Sequence, residues 1–144
     1  MTSIRPMRMG DAPAIAALAT QLGYPVSTTE LEGRIEPLLG HDDHLVLVAT
    51  DEADGVIGWI HLYRQLSLQE PARAVIGGLV VNEGSRDAGV GAALVEAGES
   101  WALRLGLGSV LVRSRSTRTR AHRFYERIGY VETKRSHVFE KRFV

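Results

Sequence analysis

The 144-residue sequence predicts an α/β fold, a mixed sheet flanked by helices. Three observations predict it. Residues 74–105 read in succession as a buried strand, a polar turn with glycines, and an amphipathic helix. Residues 44–64 read as a hairpin of two strands about an Asp-Gly turn. Ahead of them, residues 11–36 carry two helix-start patterns, each followed by apolar residues at helical spacing.

Taken in order, Ser3 to Met7 reads as a short edge strand, because Pro6 suits only an edge or a strand end. Asp11 reads as the N-cap of a first helix with Pro13 in its opening turn; Ile15, Leu18 and Leu22 share a face, and the helix ends near Gly23. Ser27 and Glu30 form a capping-box pattern ahead of Leu31 and Ile35, and Pro37 ends or kinks this second helix near Glu36. His44 to Thr50 and Val56 to Arg64 are the hairpin strands, joined by Asp51 to Gly55. In the second of them, alternation puts Ile57, Trp59, His61 and Tyr63 on one face and Val56, Gly58, Ile60 and Leu62 on the other. The first of these faces is either a second packed surface or a wall of a substrate site.

After a polar connection from Gln65 to Arg73, the strand with Val75, Ile76, Leu79, Val80 and Val81 is interrupted by Gly77-Gly78, which predicts a bulge or a close backbone approach. Val90, Leu94, Ala97, Trp101 and Leu105 mark one face of the next helix, closed by Gly106 and Gly108. Ser109 to Arg113 is a strand, Ser114 to Thr117 a loop, and Thr119 to Ile128 a helix ended by Gly129. Val131 to Lys134 and His137 to Phe143 read as two closing strands.

Composition narrows the function classes. Hydrophobic residues are 44% and charged residues 24%, with formal net charge zero, so whole-chain attraction to nucleic acid or to an anionic membrane is not expected. The sequence has no cysteine, which excludes disulfides, thiolate metal sites and a cysteine nucleophile, and no metal is expected. The stretch MTSIRPMRMG lacks an apolar signal core, and the longest aliphatic run, Leu45 to Ala49, is too short to span a bilayer. The expectation is one domain over residues 1–144, in the cytoplasm.

The turn between the central strand and helix carries the chemistry. It reads Arg86-Asp87-Ala88-Gly89-Val90-Gly91-Ala92. A helix's first turn has backbone N–H groups without intrahelical partners, and its dipole adds partial positive charge there. Glycines remove the β-carbons that would hold a phosphate away, and Arg86 adds a fork-shaped cation, so the unit suits a pyrophosphate. It is not a triphosphatase loop: Gly84 and Gly89 have the spacing, but Val90 and Gly91 stand where the lysine and hydroxyl belong. It is a poor dinucleotide fingerprint, since Gly89-x-Gly91 is followed by Leu94 and not by glycine.

Arg86-x-x-Gly89-x-Gly91-Ala92 after Leu79-Val80-Val81 instead resembles the acetyl-CoA signature, Gln/Arg-x-x-Gly-x-Gly/Ala, of the Gcn5-related N-acetyltransferase superfamily. A second segment is similar to that superfamily's downstream signature: Ala121, Phe124, Tyr125, Glu126, Gly129 and Tyr130 match Ala-x-x-Phe/Leu-Tyr-Glu-x-x-Gly-Phe/Tyr. The two occur in the family's order, and the resemblance runs from Ile4 to about Phe143.

The resemblance implies a central mixed, mostly antiparallel sheet of six to seven strands flanked by about four helices, and an enzyme that moves an acetyl group from acetyl-CoA directly to a primary amine. It implies that residues 86–92 hold the CoA pyrophosphate and that Leu79 and Val81 pair with the pantetheine arm, with an N–H near Leu79 or Val80 polarising the thioester. It implies that Tyr125 protonates the departing thiolate. Family members often carry a glutamate base on the central strand, but Ala74 to Gly78 holds no carboxylate. His61, on the neighbouring strand, is the first candidate base, with Glu83 and His122 behind it. Arg118 stands where the family often has asparagine and is a candidate for a CoA phosphate, within a cluster that includes Arg113, Arg115, Arg120 and Arg123. The acceptor is a small-molecule or protein amine, and a homodimer is implied. Two rival readings are a non-catalytic acyl-CoA-sensing module, motivated by the missing glutamate, and a toxin that acetylates aminoacyl-tRNA, motivated by the arginines and opposed by the neutral net charge.

Overall fold

A bulge at Gly77 sets the shape of the sheet around it. In the computed structural model, which describes residues 2–85, 88–115 and 117–143, His61 pairs with Gly78 and the next residue, Leu62, pairs with Ile76, leaving Gly77 as the extra residue. The strands are β1 (Ser3–Pro6), β2 (His44–Thr50), β3 (Val56–Gln65), β4 (Arg73–Val81) and β5 (Val110–Val112), lying side by side in chain order. The first three pairings are antiparallel, and β4 with β5 is parallel. The helices are α1 (Ala12–Gln21), α2 (Thr28–Ile35), α3 (Val90–Arg104) and α4 (Thr119–Arg127). None is long and apolar enough to cross a membrane among the described residues. The chain divides into two compact units, the first ending at Arg113 and the second beginning at Ser114.

In the first unit both faces of the sheet are covered. On one, α3 lies close to β3: a β-carbon on Gly98 would stand 2.6 Å from Leu62 Cδ1. A mid-helix glycine costs about 1 kcal/mol against alanine, and here the missing methyl lets a fully buried leucine seat against the helix. The buried stripe of α3 is Val90, Leu94, Val95, Gly98 and Ala102, so Ala97 and Trp101 flank the stripe and Leu105 lies outside it. On the other face, Met7, Ala12, Ile15, Ile35 and Val48 form a core against which Val46 and Trp59 pack.

Local signals hold with one change of role. Ser27 Oγ accepts from Glu30 N (3.0 Å) and Glu30 Oε1 from Ser27 N (3.4 Å), the expected capping box. Asp51 Oδ1 closes the hairpin turn by accepting from Ala53 N and Gly55 N. Asp11 does occupy the N-cap position of α1, but its carboxylate makes no cap bond. It takes Arg5 Nη1 and Nη2 at 2.9 and 2.8 Å and Arg8 N at 2.8 Å. The guanidinium of Arg5 holds the Asp11 carboxyl below its ordinary pKa.

The second unit is α4 and the chain after it. Gly129 N donates to Glu126 O and Tyr130 N to Tyr125 O, a Schellman ending with Gly129 at φ 100°. Among the described residues, the closing strands expected at Val131 to Lys134 and His137 to Phe143 do not form, and the sheet has five strands where six to seven were expected. A strand needs a ladder partner and a face to bury. Among the described residues this segment pairs with no strand; Val131, Val138, Phe139 and Phe143 are exposed, and charged runs such as Glu140-Lys141-Arg142 interrupt the alternation.

Candidate active site

The site begins where β4 and β5 part. Among the described residues they pair from Ala74 to Ile76 on β4 alone, yet β4 continues to Val81. Ahead of the bulge, Ala74 N donates toward the β5 side, to Ser109 O. Beyond it, Asn82 N donates to Ile57 O, toward β3. Antiparallel strands alternate the direction of their backbone groups residue by residue, so Gly78 and Val80 bond to β3, while Leu79 and Val81 turn their N–H and C=O to the side β5 has left. The extra residue Gly77 is what shifts this parity. Of Leu79, Val80 and Val81, the first and third therefore present backbone groups to the gap, and Val80 is spent in the ladder. An open strand edge of this kind accepts an extended, amide-bearing chain by strand addition.

Past Val81 a short turn, Glu83–Ser85, leads to α3; Asn82 Oδ1 holds it by accepting from Gly84 N. Arg86 and Asp87 lie outside the described residues. Gly89 is the N-cap of α3 at φ 80°, a conformation that side-chain-bearing residues rarely adopt, and a β-carbon there would meet open space. Among the described residues no side chain caps this end. Val90 is buried, anchoring the first turn, while Gly91 and Ala92 are half-buried beside it. A 15-residue helix starting this way offers unpaired N–H groups and a positive dipole end to an anion.

On β3, alternation holds from Gly58 to Tyr63, but a second irregularity, at Ile57, shifts the register: Ala49 pairs with Gly58 and Thr50 with Val56. Val56, expected on the Gly58 face, therefore packs with Trp59 against the Met7 and Ile15 core. Gly58, Ile60 and Leu62 are buried under α3, and Trp59, His61 and Tyr63 face the other way. Trp59 is a packing residue: its ring fills the space above Gly78, 2.8 Å from where a β-carbon would be, and joins the core. His61 is half-buried. Its Nδ1 lies 3.3 Å from the point a Gly77 β-carbon would occupy, and its Nε2 lies 2.9 Å from His44 Nδ1. Burial, with His44 second, pushes the His61 pKa down, so the ring is neutral at pH 7 and able to accept a proton. Its partner His44 had no role in the sequence reading. The signal was the hairpin register, which sets His44 opposite Tyr63 and Val46 opposite His61, making His44 and His61 diagonal neighbours on one face. Glu83, the second candidate base, is exposed on the turn after β4.

Tyr125 and Arg118 belong to the second unit. Tyr125 packs edge-on against Phe124 and Tyr130, with ring centroids 5.1 and 5.8 Å away. Burial raises its pKa, with Arg118 pulling the other way, so the phenol keeps its proton at neutral pH. Arg118 is the N-cap residue of α4 and makes no side-chain cap bond. His122, the third candidate base, has Nε2 2.8 Å from Arg115 O, which occupies one ring nitrogen.

Solved structures share this architecture. The aminoglycoside 6′-N-acetyltransferase AAC(6′)-Ih from Acinetobacter baumannii superposes with a TM-score of 0.87 at 20% identity, covering 99% of both chains. AAC(6′)-Iy, solved with the bisubstrate analog CoA-S-monomethyl-acetylneamine, gives 0.85 at 21% identity, again covering 99% of both. A putative acetyltransferase from Agrobacterium tumefaciens gives 0.85 at 22%, covering 96% of this chain and 99% of that one. Among curated proteins, none matches the sequence. Residues 13–130 match the acetyltransferase (GNAT) family. That span takes in the bulged β4, the glycine turn into α3 and the α4 segment ending at Tyr130, so the chain belongs to the acetyltransferase (GNAT) family.

Proposed function

We propose that this acetyltransferase moves the acetyl group of acetyl-CoA directly onto a primary amine of a small polar acceptor, and that residues 1–144 act as one catalytic domain. The observation that carries the reading is the parting of β4 from β5 beyond Ile76, which frees the backbone groups of Leu79 and Val81 beside the N-terminus of α3. The pantetheine amides pair with Leu79 and Val81, and the pyrophosphate sits on the amides of residues 86–92. Arg118 is assigned to a CoA phosphate.

In the transfer, the amine nitrogen attacks the thioester carbonyl carbon and the carbon–sulfur bond breaks. The ammonium proton passes to His61, and Tyr125 gives its phenolic proton to the leaving thiolate. Holding amine and thioester in line supplies much of the rate, several kcal/mol of barrier. The acceptor class rests on AAC(6′)-Iy, whose bound analog joins CoA to an acetylated neamine.

The test is a thiol-release assay with acetyl-CoA against a panel of amines: aminoglycosides with a free 6′ amine, polyamines, amino acids and lysine peptides. Turnover with an aminoglycoside supports the reading in full. Tight acetyl-CoA binding with no release across the panel would assign a non-catalytic acyl-CoA sensor instead.

A further inference from the structure

We propose that His44 and His61 form a two-imidazole proton relay, in which His61 takes the proton of the acceptor amine and His44 carries it on to solvent. The inference rests on the acetyl-transfer reading above and adds to it a positioning residue, His44, that acts through His61.

Three facts about the geometry lead here. First, the two rings are bonded nitrogen to nitrogen, His44 Nδ1 to His61 Nε2 at 2.9 Å, and are nearly parallel at 26° with centroids 5.2 Å apart. An imidazole pair joined in this way has one donor and one acceptor, and both rings can exchange tautomer in concert. Second, the other nitrogen of His61 lies over Gly77, the exposed bulge residue at which β4 begins to leave β5. β4 brings no carboxylate to that place; Gly77 leaves a space bordered by the β3 imidazole and the Tyr63 ring. Third, His61 lies deeper than His44, and beyond His44 comes exposed His41, whose ring meets it edge-on at 4.7 Å. The path therefore runs from the bulge outward.

The protons balance with water as the outside partner: water takes one from the relay and returns one to Tyr125, and exchange with water restores the starting tautomers of the two rings. At the start His61 carries its proton on Nε2 and donates it to His44 Nδ1, while His44 carries its own on Nε2. The amine proton arrives at His61 Nδ1, the His61 Nε2 proton crosses to His44 Nδ1, and the His44 Nε2 proton leaves to water. Neither ring holds a net charge at the end, which matters because burial opposes the charged form of both. A single half-buried histidine would have to stay cationic until it found solvent itself. The other groups around the pair are Tyr63, 5.8 Å from His44 and 6.1 Å from His61 between ring centroids, and Asp43. Asp43 is occupied by Arg64, at 2.7 Å. His41 Nδ1 is likewise engaged, accepting from Asp43 N at 3.1 Å.

The experiment is a double-mutant cycle followed by thiol release from acetyl-CoA with neamine as acceptor, across pH 5 to 9, on H61A, H44F, H44N and H44F/H61A. The relay predicts that H61A loses roughly tenfold or more in kcat, that H44F loses nearly as much, and that the double variant is no slower than H61A. H44N keeps a polar group near the Nδ1 position but carries no proton onward, so it falls with H44F. Should H44F fail to fold, H44N decides alone. KM for acetyl-CoA stays within about twofold throughout, and the acidic limb of the wild-type profile is displaced in H44N. Losses that multiply in the double variant, or an H44N that works like wild type, overturn the relay while leaving acetyl transfer intact. A wild type that releases no thiol with any amine overturns the acetyl-transfer reading, and the relay with it. A separate readout is imidazole nitrogen NMR: H61A must move the titration and tautomer of His44, and an unmoved His44 overturns the pair.

Discussion

His61 borders the place where a side chain on Gly77 would begin, its Nδ1 3.3 Å from the missing β-carbon. The neighbouring strand thus delivers a titratable ring to the point at which β4 opens, and the bulge and the imidazole depend on one another. Gly77→Ala should tilt the ring and lower kcat several-fold while acetyl-CoA affinity holds. Gly78→Ala should act on stability instead, because its methyl would sit 2.8 Å from the Trp59 ring, which is packed into the core. Overpacking of this kind costs about 1–3 kcal/mol. Urea denaturation of the two variants beside their turnover separates the effects.

The rate should rise with pH through the pKa of the imidazole pair and level off at a lower pH than an unperturbed histidine would give. His61 is held below its ordinary 6.5 by burial and by His44, so its basic form predominates at neutrality. The same shift contributes to stability. A lowered folded-state pKa means the contribution is whole above about 6.5 and is lost as pH falls through the folded value. pH–rate profiles and melting curves of wild type and H61A check both; a profile in H61A identical on the acidic side would remove His61 as base.

Tyr125→Phe should lower turnover by roughly tenfold or more and leave acetyl-CoA affinity within about twofold. The raised pKa of this phenol keeps it protonated across the neutral range, so no alkaline loss of rate is expected below about pH 10. Steady-state kinetics and calorimetry on the variant are the check, and undiminished turnover would take Tyr125 out of the mechanism.

Arg5 and Asp11 set a separate, structural prediction. The pair is two-pronged and largely buried, with Asp11 also accepting from Arg8 N. Asp11→Asn should cost about 2 kcal/mol, as for other hydrogen bonds to charged groups. Its folded pKa is lowered, chiefly by the bond from Arg5, so the stabilisation is present above the unfolded carboxyl value and lost as pH falls through the folded one. Acid unfolding of wild type and D11N should converge at low pH; parallel curves would contradict this.

Much of this molecule was legible before its structure. The β-branched run into Gly89 and Gly91 marks a buried strand feeding a helix, and Gly77-Gly78 marks a bulge or a close approach, of which Gly77 is the bulge and Gly78 the place where the Trp59 ring comes close. What escaped depended on partners distant in sequence. The run from Val131 to Phe143 has β-forming residues, but whether it joins a ladder depends on an edge elsewhere in the chain, which composition does not encode. Asp11 sits where a cap should, and only the fold brings Arg5 to claim its carboxylate. His44 looked like an ordinary strand start until the hairpin register set it diagonal to His61. On α3, an apolar tally favoured Trp101, whereas Gly98 and Ala102, being small, make the closer contact.

The central claim is that the freed edge of β4 and the Gly89 start of α3 together hold acetyl-CoA. Calorimetric titration of acetyl-CoA into the wild-type protein and into Gly89→Val tests it most directly, since valine cannot keep φ 80° without strain and would crowd the amides. The account predicts heat of one-to-one association with wild type and affinity at least roughly tenfold weaker in the folded variant, about 1.4 kcal/mol. No heat with the wild type, or equal affinity in both proteins, would contradict it.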